Sequence, residues 1–148
     1  MAFLVALHSW LRWAVLLFGI AALVATLVRR DGKATVAERL SLFFIISLDL
    51  QFLLGLALWA IGPWLRGLIY APGSVMGNDV SRFFALEHGV LMFAAVAAAH
   101  IGRALGRKAA TPDRARRRVA IGFAVSLLLM LAGIPWPAFE HGRPLFRL

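Results

Sequence analysis

Apolar residues in this chain fall into four long runs separated by short polar stretches. The first covers residues 3–28 and is wholly apolar from Trp13 to Val28 apart from Thr26; the others cover 40–61, 83–103 and 119–134. At ~1.5 Å of rise per residue, runs of this length read as helices that cross a bilayer. The pattern therefore predicts an all-α membrane protein, a four-transmembrane-helix up-down bundle. Punctuation supports these bounds. Arg29-Arg30 closes the first run, Gly62-Pro63 the second and Pro135-Trp136-Pro137 the fourth; proline lacks the amide donor that a continuing helix needs. The longest connection, 62–82, holds a turn signal at Tyr70-Ala71-Pro72-Gly73. Its WLRGLIY stretch suits a short amphipathic helix on the membrane interface. Asn78 or Asp79 suits the N-cap of the third helix. Neither a repeat nor a low-complexity linker divides the chain, so one transmembrane domain over 1–148 is expected. The first run lacks a preceding basic stretch and a following small-residue cleavage site, and is read as a retained helix.

Composition agrees with the pattern. Of 148 residues, 61% are hydrophobic and 16% charged, and the mean hydropathy is +0.82, which makes lipid the expected solvent. The net charge of +9 would suit nucleic acid, but its placement argues for topology instead. Of 16 Lys and Arg, four lie in 29–39 and seven in 103–118. That asymmetry assigns both loops to the cytoplasm, puts both termini on the outer, periplasmic side, and makes anionic lipid a natural contact. Nucleic acid is not an expected partner. With no cysteine, disulfides, thiolate metal sites and a cysteine nucleophile are excluded.

The chemistry lies in the few polar residues inside the apolar runs: His8 and Arg12 in the first, Asp49 and Gln51 in the second, Glu87, His88 and His100 in the third. Ionisable groups at membrane depth are costly unless paired or ligated, and so mark candidate sites. His8 and His88 each lie five to six residues below the outer ends of helices that run the same way. Diagonal placement in a bundle would bring two imidazoles to one level, as bis-histidine ligation of a haem iron requires. Glu87 or Ser9 would then orient a ring nitrogen, and Arg12 and Arg143 would meet propionates. The competing reading gives both histidines ordinary interhelical hydrogen bonds, with Glu87 paired to Arg12. Depth also predicts an Arg12–Asp49 pair; a protonated Asp49 is the rival. His100 lies ~18 Å along the helix from His88, with no second histidine at its level, so either an inner cofactor with another ligand or a simple hydrogen bond is expected there. His141 is read as a surface residue or as folded back over the bundle mouth.

Motifs for zinc proteases, serine hydrolases and P-loop nucleotide binding are absent. A proton-coupled carrier built on Asp49 and Glu87 is a minor alternative.

Six stretches, HSWLRW at 8–13, Gln51 with Gly55, EHGVLM at 87–92, HIGR at 100–103, IPWP at 134–137 and GRPLF at 142–146, resemble a group of small four-helix bacterial membrane proteins of the cytochrome b-like type. Similarity to the b561-type cytochromes is weaker, since those have more paired histidines. The resemblance implies haem b as cofactor, electron transfer with quinol as one exchange partner, a multi-pass place in the bacterial inner membrane, and His8, His88 and His100 as candidate ligands. Catalysis in the strict sense is left open. A different class also fits the five tryptophans and eleven phenylalanines: a non-catalytic accessory subunit, without a cofactor of its own, seated against the helices or pigments of a larger photosynthetic or respiratory complex.

Overall fold

The computed structural model describes residues 1–28 and 34–146. All its regular structure is helical, with no strand among the described residues. Four long helices carry the fold: α1 (Ala2–Val28), α2 (Ala34–Ile61), α5 (Asp79–Arg107) and α6 (Pro112–Gly133). Two short ones, α3 (Pro63–Tyr70) and α4 (Pro72–Met76), fill the connection between α2 and α5. Among the described residues three helices, α1, the greater part of α2 and α5, are long and apolar enough to cross a membrane.

The sequence expectations hold for element type and need correction at the ends. The second helix begins at Ala34, six residues before the predicted start; residues 29–33 of the expected polar connection lie outside the described residues. The third is longer at both ends than 83–103. The fourth begins at Pro112, where Thr111 accepts a bond from the Arg114 amide, so, with α5 running on to Arg107, most of the predicted basic loop is helix. Thr111-Pro112-Asp113 is a strong start signal, since a hydroxyl cap, a proline in the first turn and an acid beside it all favour an N-terminus. The arginines at 114 and 116–118 then occupy the first turns of α6 and keep it out of the set of three apolar helices. Asn78 caps α5 as expected, its side chain accepting from the Ser81 amide at 2.9 Å.

Small residues set the helix spacing. A Cβ on Gly102 of α5 would fall 2.6 Å from the Cα of Gly122 on α6, so these two backbones touch. Ala95 and Ala99 on the same face are fully buried. Close backbone approach at small residues is the usual mode of helix packing where lipid removes the hydrophobic drive. The α1–α2 pair packs more loosely around Gly19, whose Cβ would meet Phe44 and Leu127; Phe44 in turn sets its edge against Phe123 at 5.0 Å. One core cluster takes residues from all four long helices. Helix α1 packs on α2 and α6, and α2 makes a sparser contact with α5, which leaves α1 and α5 facing each other diagonally.

Candidate functional site

The end of this arrangement that holds His8 and His88 is hollow. A cavity of about 860 Å³ lies among α1, α2 and α5, and His8, Gln51, Gly55, His88 and Gly89 line it, as do Arg12 and Arg143. Volumes of ~300–1,000 Å³, mostly apolar with a few convergent polar groups, are those of cofactor sites.

The two imidazoles meet at one level. Their ring centres are 6.3 Å apart and their planes stand at 72°. Imidazole nitrogens bind first-row metals at ~2 Å, so a metal shared by two rings puts their centres roughly 6 Å apart. Among the described residues no group of three or more histidines and acids is placed to hold a metal ion, so any metal here would bring ligands of its own besides these two rings.

Each ring is positioned by backbone, not by an acid. His88 Nδ1 lies 2.7 Å from the carbonyl oxygen of Gly133, which can only accept; Nδ1 therefore carries the proton and Nε2 keeps its lone pair. That carbonyl is free for a reason written in the sequence. Gly133 ends α6, and its helical donor four residues on would be Pro137, which has no N–H. His8 is fixed through its main chain, where Gln51 Nε2 donates to the His8 carbonyl at 2.9 Å. Its ring fits because position 55 is glycine: a Cβ there would stand 3.0 Å from His8 Cε1. His8 Nδ1 is buried with no protein partner, and no neighbouring atom stands within 4 Å of where a Cβ on Gly89 would be. An orphaned ring nitrogen, a cradle that a side chain would fill and open space beside the second histidine together fit a planar group that binds through the two rings.

A π turn at Phe83–Glu87 leads directly into His88. Such single turns re-aim the next residues and recur at functional sites. Trp59 secures it from α2, its indole N–H donating to the Ala85 carbonyl at 2.8 Å. The C-terminal segment folds back over this same end of the helices. Arg12 donates to the Leu145 carbonyl at 2.6 Å and Trp13 to the same oxygen at 3.2 Å, while Phe146 stacks on Trp13 and packs against Trp10. His141 stacks on Phe83 at 3.7 Å, which settles its two readings in favour of folding back. The guanidinium of Arg143 lies 4.8 Å over Phe84.

Three sequence expectations are corrected. No Arg12–Asp49 pair forms: Asp49 bonds His100, with 2.9 Å between Oδ1 and Nε2. The reason is angular. Gln51 and Asp49 are two residues apart and so point about 200° away from each other; with Gln51 turned to α1, Asp49 faces the α5 side. Glu87 neither orients a histidine nor meets Arg12, but bonds Arg82 at 2.7 Å, both side chains being partly exposed. Its place in the π turn rotates it away from the cavity that His88 lines. His100 does not line the cavity and faces outward with Asp49. Sequence reading missed the π turn, the Gly133 carbonyl and the Trp59 bond; Pro137, four residues after Gly133, is the one signal for a free carbonyl there.

Compared with family models, curated proteins and solved structures, the chain matches none.

Proposed function

We propose that this chain is a b-type haem protein that carries electrons in a membrane, with His8 and His88 as the residues that would hold the iron. The observation that carries the reading is the imidazole pair at 6.3 Å, set in a largely apolar cavity of about 860 Å³. In this reading the fourth helix also crosses, its basic first turns reaching the inner surface, and both termini stay outside a bacterial inner membrane.

Each residue then has a definite task. Nε2 of His88 binds while its Nδ1–H stays on Gly133, which fixes the tautomer and the ring direction. Gln51 holds the turn of α1 from which His8 projects, and Gly55 leaves the ring its space. Arg12 and Arg143, which also line the cavity, would pair with the carboxylates of the bound group through charge-assisted hydrogen bonds. The apolar walls exclude water. Haem bound there supplies reversible one-electron chemistry, with a potential tuned by the ligand pair, its hydrogen bonds and its burial.

A reduced-minus-oxidised spectrum of protein purified in mild detergent tests the proposal. The wild type is expected to show the α-band of a low-spin b haem. His88→Ala and His8→Ala are each expected to abolish it, and His141→Ala to leave it in place. A folded wild type without that band overturns the proposal and favours the accessory-subunit reading.

A further inference from the structure

The second imidazole of α5 stands in a different setting. His100 and Asp49 are joined at 2.9 Å and lie outside the cavity, with 49% and 39% of their side chains exposed. Their neighbours along the helix surfaces are exposed apolar side chains: Ile46, Leu50 and Leu53 on α2, Phe93 and Ile101 on α5. The pair therefore faces lipid from inside two helices apolar enough to cross a membrane. Ionisable residues in such helices almost always face a protein interior or a water-filled cavity, so this exposure is unusual.

The inner end of the cavity comes close behind. Val96 and Phe52 line it; Val96 is one turn from His100 and Phe52 is three residues from Asp49 on the same surfaces. Phe52 packs against Phe93 at 6.2 Å across the α2–α5 seam, which puts an aromatic surface beside the pair. The site thus offers a carboxylate-backed imidazole, an aromatic face, entry from lipid, and a position about one helical turn from the cavity.

We propose that Asp49 and His100 bind a membrane-dissolved hydroquinone and take up its hydroxyl protons, an assignment that rests on the electron-transfer reading above and gives it its electron donor. The His100 Nε2–H donates to Asp49 Oδ1, which leaves the Nδ1 lone pair as the proton acceptor, and the carboxylate stabilises the imidazolium that forms. Conversion of one hydroquinone to its quinone breaks two O–H bonds and releases two protons and two electrons. Each proton would pass to His100 and leave along α5 towards its basic end, which begins three residues on at Arg103; the electrons would leave singly to two equivalents of a one-electron acceptor, the oxidised cofactor that His8 and His88 would hold. No oxygen or carbon bond changes partner beyond the ring's own rearrangement to the quinone.

Two measurements on the full-length protein in liposomes test this. Photolabelling with an azido-benzoquinone bearing an alkyl tail is expected to mark peptides containing 46–53 and 93–101, with unlabelled quinone competing. His100→Ala and Asp49→Asn should cut that labelling by at least ~10-fold. In stopped flow, duroquinol should reduce the haem of both variants at least ~10-fold more slowly than that of the wild type, while dithionite reduces all three alike. Labelling elsewhere, or wild-type labelling in both variants, overturns the assignment; so does separation of a dimer by these substitutions with labelling unchanged, which makes the pair a helix contact. The two readings fail separately: labelling without a haem band removes the haem and keeps the quinone site, whereas a haem band without labelling or duroquinol reduction does the reverse.

Discussion

Helix α5 holds two imidazoles, and what each is bonded to separates their chemistry. His88 faces a cavity and gives its Nδ1 proton to a backbone carbonyl; His100 faces outward and bonds a carboxylate. A carbonyl orients a ring without adding charge, so the free nitrogen stays a neutral donor suited to a metal. A carboxylate stabilises the protonated ring, which suits a proton acceptor. The two sites also differ in how space is provided. Around His8 it comes from a glycine that a Cβ would spoil, whereas the surroundings of His100 are open surface.

That contrast is most directly broken at Gly55. Gly55→Leu should push a side chain into His8, whose Cε1 would lie 3.0 Å from the first added carbon, and should cost most of the α-band that the proposed haem would give on purification. Gly73→Ala, outside the cavity and with no neighbour within 4 Å, should leave the band at wild-type intensity. Equal loss in both variants would mean that the band is sensitive to added volume wherever it is placed and that the Gly55 cradle is not special. Neither substitution should alter quinone photolabelling.

A smaller, global effect is expected where α5 and α6 touch. Gly102→Ala puts a carbon 2.6 Å from the Gly122 Cα, and backbone atoms, unlike a flexible side-chain tip, cannot step aside. Overpacking of this kind costs about 1–3 kcal/mol, seen as a lower thermal midpoint in detergent. His100, two residues away, should feel the shift more than His88, so duroquinol reduction should fall before the haem band does. An unchanged midpoint would sink the close-contact account of this helix pair.

The long elements were legible because their signals are strong and local: apolar runs, arginine stops, proline breaks. The His8–His88 meeting was legible from depth alone, since the two residues lie at similar distances from their helix ends. Direction was not. Depth counting matched Arg12 with Asp49 but could not say which way each pointed, and a two-residue offset from Gln51 turned Asp49 to the other side of α2. The pairing of Glu87 depended on a π turn that no residue pattern announces. Gly133 shows the opposite case, because Pro137, which denies its carbonyl a helical donor, is plain in the sequence even though its partner, His88, lies 45 residues away.

The least effect is expected at Trp59, and it tests how far the π turn depends on its neighbour. The indole N–H donates to the Ala85 carbonyl at 2.8 Å, within the irregular turn that precedes His88. Trp59→Phe keeps an aromatic ring on α2 but removes the donor, at a net cost of about 0.5–1.5 kcal/mol. If the turn were held by this bond alone, His88 would lose its aim and the α-band would weaken together with stability. His88 has a second anchor on α6, however, at 2.7 Å from the Gly133 oxygen. A thermal midpoint a few degrees lower with an undiminished band is therefore expected, and loss of the band in Trp59→Phe would move control of the histidine from α6 to α2.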